Sequence, residues 1–145
     1  LQTTRVDSLS ESLIRTVRFA ICETITRAGL KCEPYEEFTL PRTPVATLLF
    51  ETASITEWDQ KFGWETITYR LRNYHSFGGS ARKVDEALDA DMRVIINALG
   101  EDRTLDGRVV DIKVISVNRY YDVSPAPKYG WGEWLLEVTP YANLG

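Results

Sequence analysis

The stretch WETITYRLRNYH, Trp64 to His75, limits the fold more than any other part of the chain. Ile67, Tyr69 and Leu71 alternate with Thr66, Thr68, Arg70 and Arg72. That period of two belongs to an extended strand with one face buried and the other wet. Such a strand needs antiparallel neighbours and an apolar cover for its inner face. The rest of the chain must supply both.

Two segments supply the cover. Ser8 and Glu11 have the spacing of a capping box, in which each side chain satisfies a backbone donor at the other's position. Leu9, Leu13, Val17, Ile21, Ile25 and Ala28 then recur as one helical stripe, and Gly29 is placed to end it in a left-handed turn. Ser80 is set to cap a second helix, SARKVDEALDADMRVIINALG. Its inner stripe reads Val84, Leu88, Asp91/Met92, Ile95 and Leu99, with Gly100 ending it.

The neighbouring strands follow from VATLLFE (Val45 to Glu51), RVVDIKVISVNRYY and GWGEWLLEVTPYA. In the last, Trp134, Leu136 and Val138 alternate with Glu133, Leu135, Glu137 and Thr139. Between Val114 and Ile115 the apolar phase slips by one residue, which predicts a bulge or a strand buried on both faces. KCEPYEEFTLPRTP holds three of the six prolines and reads as an extended connection.

The expected fold is therefore α+β, one domain over residues 1–145 in the order α-β-β-α-β-β. Two helices pack on one face of a four-stranded, mostly antiparallel sheet. Leu13, Val17, Ile21, Ile67, Leu71, Val84, Leu88, Ile95, Val110, Ile112, Trp134 and Leu136 are the expected core.

In this topology a connection over Thr52–Gly63 joins the first two strands and one over Asn118–Gly130 joins the last two. The crossover helix leaves its flanking strands parallel, so the two connections belong at opposite ends of the sheet. Both exceed the usual hairpin length of about 2–5 residues, and both are aromatic. The first holds Ile55, Trp58 and Phe62, with Trp64 at its edge; the second holds Tyr120, Tyr121 and Tyr129, with Trp131 at its edge. Aromatic side chains give large contact area at low entropy cost and are enriched in interfaces, so these residues are candidate contacts at two binding ends. Trp64 and Trp131 fit a fold-back onto the sheet equally well. Arg70 and Arg72 read as a solvated strand face or a local basic strip, and, set opposite Glu133 and Glu137, they are further candidate interface residues.

Composition narrows the function. Seventeen basic against 21 acidic residues, net charge -4, lacks the basic excess of a chain that grips nucleic acid through its phosphates. No apolar run approaches the roughly 20 residues of a membrane helix, and LQTTRVDSLSES does not have the pattern of a secretory signal. A soluble, non-exported chain is expected. Cys22 and Cys32 are too few for a disulfide framework, and free thiols in a reducing cytoplasm are expected.

His75 is the single histidine and there is no CxxC, so no metal site is indicated. There is no nucleophile elbow or phosphate-binding glycine loop. FGGS (Phe77 to Ser80) could hold an anion at a helix start, but a glycine turn feeding a capped helix accounts for it more simply. His75 has no local Ser, Cys or Asp motif to serve, and the carboxylates of DEALDAD spread around their helix as a solvated face. Neither catalysis nor a cofactor is expected.

The succession of a capped helix, TPVATLLFE, WETITYRLRNYH, SARKVDEALDADMRVIINALG, TLDGRVVDIKVIS and GWGEWLLEVTPYA resembles the tail-terminator (tail-completion) proteins of long-tailed bacteriophages, over roughly residues 8–142. The likeness is one of element order, with no signature motif. It implies a structural virion protein whose copies form a ring, usually a hexamer, on the head-proximal end of the tail tube. The ring ends tube growth and offers a surface for head–tail joining. The partners implied are further copies of the chain, the tail tube protein and the head–tail connector or neck protein. Genomic DNA only passes through the lumen, and no membrane is involved. The implied location is the virion tail, with the host cytoplasm as the site of assembly. A neck or connector-completion protein shares the same size and fold class, and a small α+β ligand-binding or enzymatic domain is the alternative of a different kind.

Overall fold

The computed structural model describes residues 2–36, 42–59, 61–78, 80–122 and 128–141, and only the backbone of residues 2–12 and of residue 58. Helix α1 spans Gln2–Arg27 and α2 spans Ala81–Glu101; the strands are β1 (Cys32–Glu33), β2 (Val45–Trp58), β3 (Lys61–Ser76), β4 (Asp111–Tyr121) and β5 (Tyr129–Thr139). They form one mixed five-stranded sheet in the order β1-β2-β3-β5-β4. β1 runs parallel to β2, and every other pairing is antiparallel.

The fifth strand corrects the expected count of four. Gly29, at φ 105, turns the chain out of α1, and the Ala46 amide donates to the Lys31 carbonyl at 2.8 Å. Two residues of the proline-rich connection thereby cover part of the β2 edge, where backbone groups otherwise have no partner. Helix α1 also begins earlier than expected, so Ser8 and Glu11 lie inside it. Nothing in residues 2–7 is a glycine or a proline, so the capping-box spacing had no helix start to mark. Ser80 does cap α2, its hydroxyl accepting from the Lys83 amide. Helix α2 runs through Gly100, its expected end, to Glu101, and Asp102 is its C-cap.

Both helices cover the same sheet face. Val17, Ala20, Ile21 and Ile25 of α1 and Ile95 and Leu99 of α2 join Leu48, Ile67, Tyr69, Leu71, Ile112, Trp134, Leu136 and Val138 in one buried cluster. Val84 and Leu88 are also buried. Leu88→Ala is expected to cost about 2–5 kcal/mol, measured by urea unfolding; a loss near zero would place that helix face outside the core. Arg18 of α1 is buried as well, its guanidinium donating to the carbonyls of Pro34 at 2.7 Å and Leu48 at 3.0 Å.

Val110 departs from the expected core: it is 48% exposed, and Val109 is buried in its place. Leu105, Asp106 and Gly107 all take positive φ in the turn before β4. The chain therefore reaches β4 with Val109 and Ile112 inward, three residues apart, and Val110 bends outward.

The phase slip in β4 is a bulge: the register with β5 shifts between Val114 and Ser116, leaving Ile115 as the extra residue. Gly130 and Gly132 stand at inward positions of β5. A Cβ on Gly132 would lie 2.5 Å from Asn73 Oδ1, and one on Gly130 would lie 2.6 Å from Val84 Cγ1. The alternating glycines of GWGEW thus let α2 and a buried asparagine approach the strand.

The first long connection is mostly strand. β2 and β3 stay paired out to Trp58 and Lys61. Their register shifts once between Phe50 and Thr52 and back between Ser54 and Ile55, so Glu51 bulges on one strand and Glu65 on the other. The bulges offset each other, and the β-branched and aromatic residues of this stretch favour the extended state. Asp59, at φ 51, makes the tight reversal. β4 likewise runs to Tyr121 and β5 starts at Tyr129; positions 123–127 of the expected second loop lie outside the described residues. The pairing places the two hairpin ends at opposite ends of the sheet, as the crossover requires.

Candidate interaction surfaces

The most exposed apolar structure is the far end of the first hairpin. Pairing of β3 with β5 begins at Ile67, so Lys61 to Thr66 and their β2 partners continue as a two-stranded arm, roughly 20 Å long at the usual rise per residue. Opposed residues of an antiparallel pair share a face. Ile55 stands opposite Trp64, and Glu57 opposite Phe62. All four continue the helix-side face, since Ala53 lies opposite the buried Ile67. Trp64 packs against the core at the root of the arm, whereas Ile55 is 57% and Phe62 64% exposed. An isolated hairpin is marginally stable at best in water, so a long arm with exposed apolar residues is suited to a partner's surface. The backbone of Trp58 pairs with Lys61 at the tip; its side chain lies outside the described residues.

Arg70 and Arg72 occupy the opposite, helix-free face. Arg70 forks onto Glu51 with two bonds of 2.9 Å and reaches Glu133 Oε2 at 2.9 Å. Arg72 contacts Glu133 Oε1 at 2.6 Å and Glu36 Oε2 at 2.9 Å. A string of alternating charge, Glu51–Arg70–Glu133–Arg72–Glu36, therefore crosses the sheet. Arg70 beside it holds the Glu51 carboxyl below its ordinary range. Each partly exposed pair is worth about 0–1 kcal/mol, and the charge of both arginines is matched within the chain. Glu137 stands opposite Thr68 and Lys113 instead.

The aromatic residues of the second hairpin divide between the two faces. Trp131 lies between Tyr74 and Tyr120 on the helix-free face, with ring centroids 5.6 and 5.9 Å away, and Tyr129 meets Tyr74 edge-on at 6.4 Å. The Tyr74 hydroxyl bonds Glu36, and burial followed by that carboxylate pushes its pKa up. Among the described residues the half-buried Trp131 Nε1 finds no acceptor. Tyr121 points to the helix side, where its hydroxyl bonds Asp85 and its ring meets Phe77 edge-on at 5.9 Å. Tyr120 is 43% exposed and is the outermost ring of this group.

Three features escaped the sequence reading. Glu36 and Tyr74 join the charged string to the aromatic group. A buried polar chain runs from Trp134 Nε1 to Asn73 Oδ1 at 2.9 Å, from Asn73 Nδ2 to Asp91 Oδ2 at 3.0 Å, and to His75 Nε2 at 2.5 Å from that same oxygen. His75 thus has an aspartate partner sixteen residues away in sequence, and Asp91 is not part of a solvated face. Asp85 and Asp89 of the same run pair with Arg119. The third feature is an open groove between α2 and β4, lined by Ile96, Leu99, Ile112, Val114 and Ile115 and flanked by Arg103 and Lys113. Exposed isoleucines on a helix face and at a bulge were its only sequence signal.

The cleft beside Asn73 and Asp91 measures about 190 Å³, below the roughly 300 Å³ at which ligand pockets begin. Cys22 and Cys32 are free thiols, and Cys22 Sγ donates to the Cys32 carbonyl at 2.8 Å. Among the described residues no three His, Cys, Asp or Glu side chains gather to hold a metal ion, and no helix is long and apolar enough to cross a membrane. No protein-family model matches the chain, and no curated protein matches it in sequence.

Proposed function

We propose that this chain is a structural protomer of a phage tail: copies close into a ring, in the family pattern a hexamer, that caps the head-proximal end of the tail tube and presents a surface to the head–tail connector. The observation that carries the reading is the β2–β3 arm, which projects past the sheet with Ile55 and Phe62 outward. A second aromatic end lies at the opposite end of the same sheet, so one protomer offers two unlike surfaces, as a ring set between tube and connector needs. The element order that resembles tail terminators adds the tail assignment.

Phe62→Ala tests the role of the arm. Its exposure predicts a folding cost within about 0.5 kcal/mol, and tail completion should fail, with overlong tubes or tails that do not join heads in electron micrographs. Normal tails from a variant that has lost the ring would overturn the assignment.

A further inference from the structure

We propose that the β2–β3 arm of one copy seats its apolar face in the groove between α2 and β4 of the next, so that copies associate head to tail. This rests on the reading of the chain as a ring protomer and names the two surfaces that make the ring.

The two patches have matching character and lie apart: the arm extends one end of β2 and β3, and the groove runs along the β4 edge. The arm presents Ile55 and Phe62 on the helix-side face, at the β2–β3 side. The groove presents Ile96 of α2, 47% exposed, and Ile115 of β4, 50% exposed, at the sheet edge where β4 is the last strand. The bulge at Ile115 turns that side chain out of the strand's regular alternation and widens the apolar border. Ile112 pairs with Val138, which pairs with Ile67, the point where the arm begins. The groove is therefore level with the root of the arm, and Phe62 lies roughly 15 Å further along the strands, so an arm enters the groove of a neighbour that is displaced along the strands by that length.

Charge favours the same pairing. From Thr52 to Thr66 the arm carries Glu57, Asp59 and Glu65 against Lys61 alone. Arg103 and Lys113 flank the groove, with Asp111 held on one side of Arg103. An acidic arm beside these two cations is attractive, whereas two arms face to face set like charges together. The occupant is thus a second copy in heterologous contact, which propagates until a ring closes.

The test uses the full chain with two surface substitutions, Phe62→Glu in the arm and Ile96→Glu in the groove, in sedimentation velocity, with circular dichroism and melting temperature as the check on folding. Alone, each variant is expected to associate at least ~10-fold more weakly than wild type. Mixed in equal amounts, they are expected to form a dimer and stop, because one intact arm and one intact groove remain between them. Two folded variants that still assemble, or a mixture that stays monomeric while wild type assembles, overturn the arm–groove contact and leave the ring reading standing. A wild-type chain that remains monomeric at every concentration and on tail tubes overturns both.

Discussion

Trp134→Ala is expected to remove about 3–5 kcal/mol of folding stability, the range for deleting a buried aromatic ring. The side chain is 1% exposed and sits in the centre of the cluster that joins β5, β3 and both helices. It also ends the buried polar chain, its indole donating to Asn73 Oδ1 at 2.9 Å. Alanine therefore leaves a cavity and removes the only ring donor to that oxygen among the described residues. Against a total stability of about 5–15 kcal/mol this is a large fraction. Urea unfolding followed by the fluorescence of the three remaining tryptophans measures it. Trp134→Phe separates the two causes: it keeps much of the packing and loses the donor, for which about 1–3 kcal/mol is expected. A loss below ~1 kcal/mol for the alanine variant would mean that this ring does not fill the core.

Asp91→Ala is expected to cost about 1–5 kcal/mol, because the buried Asn73 donor and the part-buried His75 donor lose their acceptor at about 1–3 kcal/mol each. Asn73 and His75 both meet Asp91 Oδ2, and Asp91 is 7% exposed. Alanine is the better helix former at this position of α2, which returns at most about 0.7 kcal/mol. The unsatisfied donors win by that comparison. Asp91→Asn keeps one acceptor oxygen and is expected to fall between the two. Thermal unfolding gives the stabilities, and imidazole resonances of His75 report whether its partner is gone. An Asp91→Ala variant as stable as wild type would show that water replaces the carboxylate at no cost.

Period and punctuation decided much of the fold in advance. The two-residue alternation from Thr66 to Arg72 and the helical stripes of α1 and α2 each describe one buried face, and one buried face is a local property of the chain. Ser80 and Gly29 act within a few residues of themselves, and so does the bulge at Ile115. Two expectations failed where a local signal competed with context. The Ser8–Glu11 spacing did not start a helix, because the residues before it also accept helical geometry. Thr52–Gly63 was expected to be a long connection, because the alternation that marks the second strand begins only at Trp64. Paired bulges at Glu51 and Glu65 carry the ladder through it instead.

The candidate surfaces were legible only in part. Phe62 was marked by its type and placement, and it is outward on the arm; Trp64, equally aromatic, is packed at the arm's root. Tyr120 and Tyr121 are neighbours in sequence yet serve opposite faces, since successive side chains of a strand alternate. By itself the sequence determined the two helices, the alternating stretches of β3 and β5 and the apolar face of each, because those depend on spacing within a segment. Tertiary structure alone decided that Cys32–Glu33 becomes a fifth strand, that Glu133 bridges two arginines, that His75 meets Asp91, and that Ile96 and Ile115 border one groove. Each of these joins residues far apart in the chain, and only the strand order β1-β2-β3-β5-β4, with its two compensating bulges, brings them within reach.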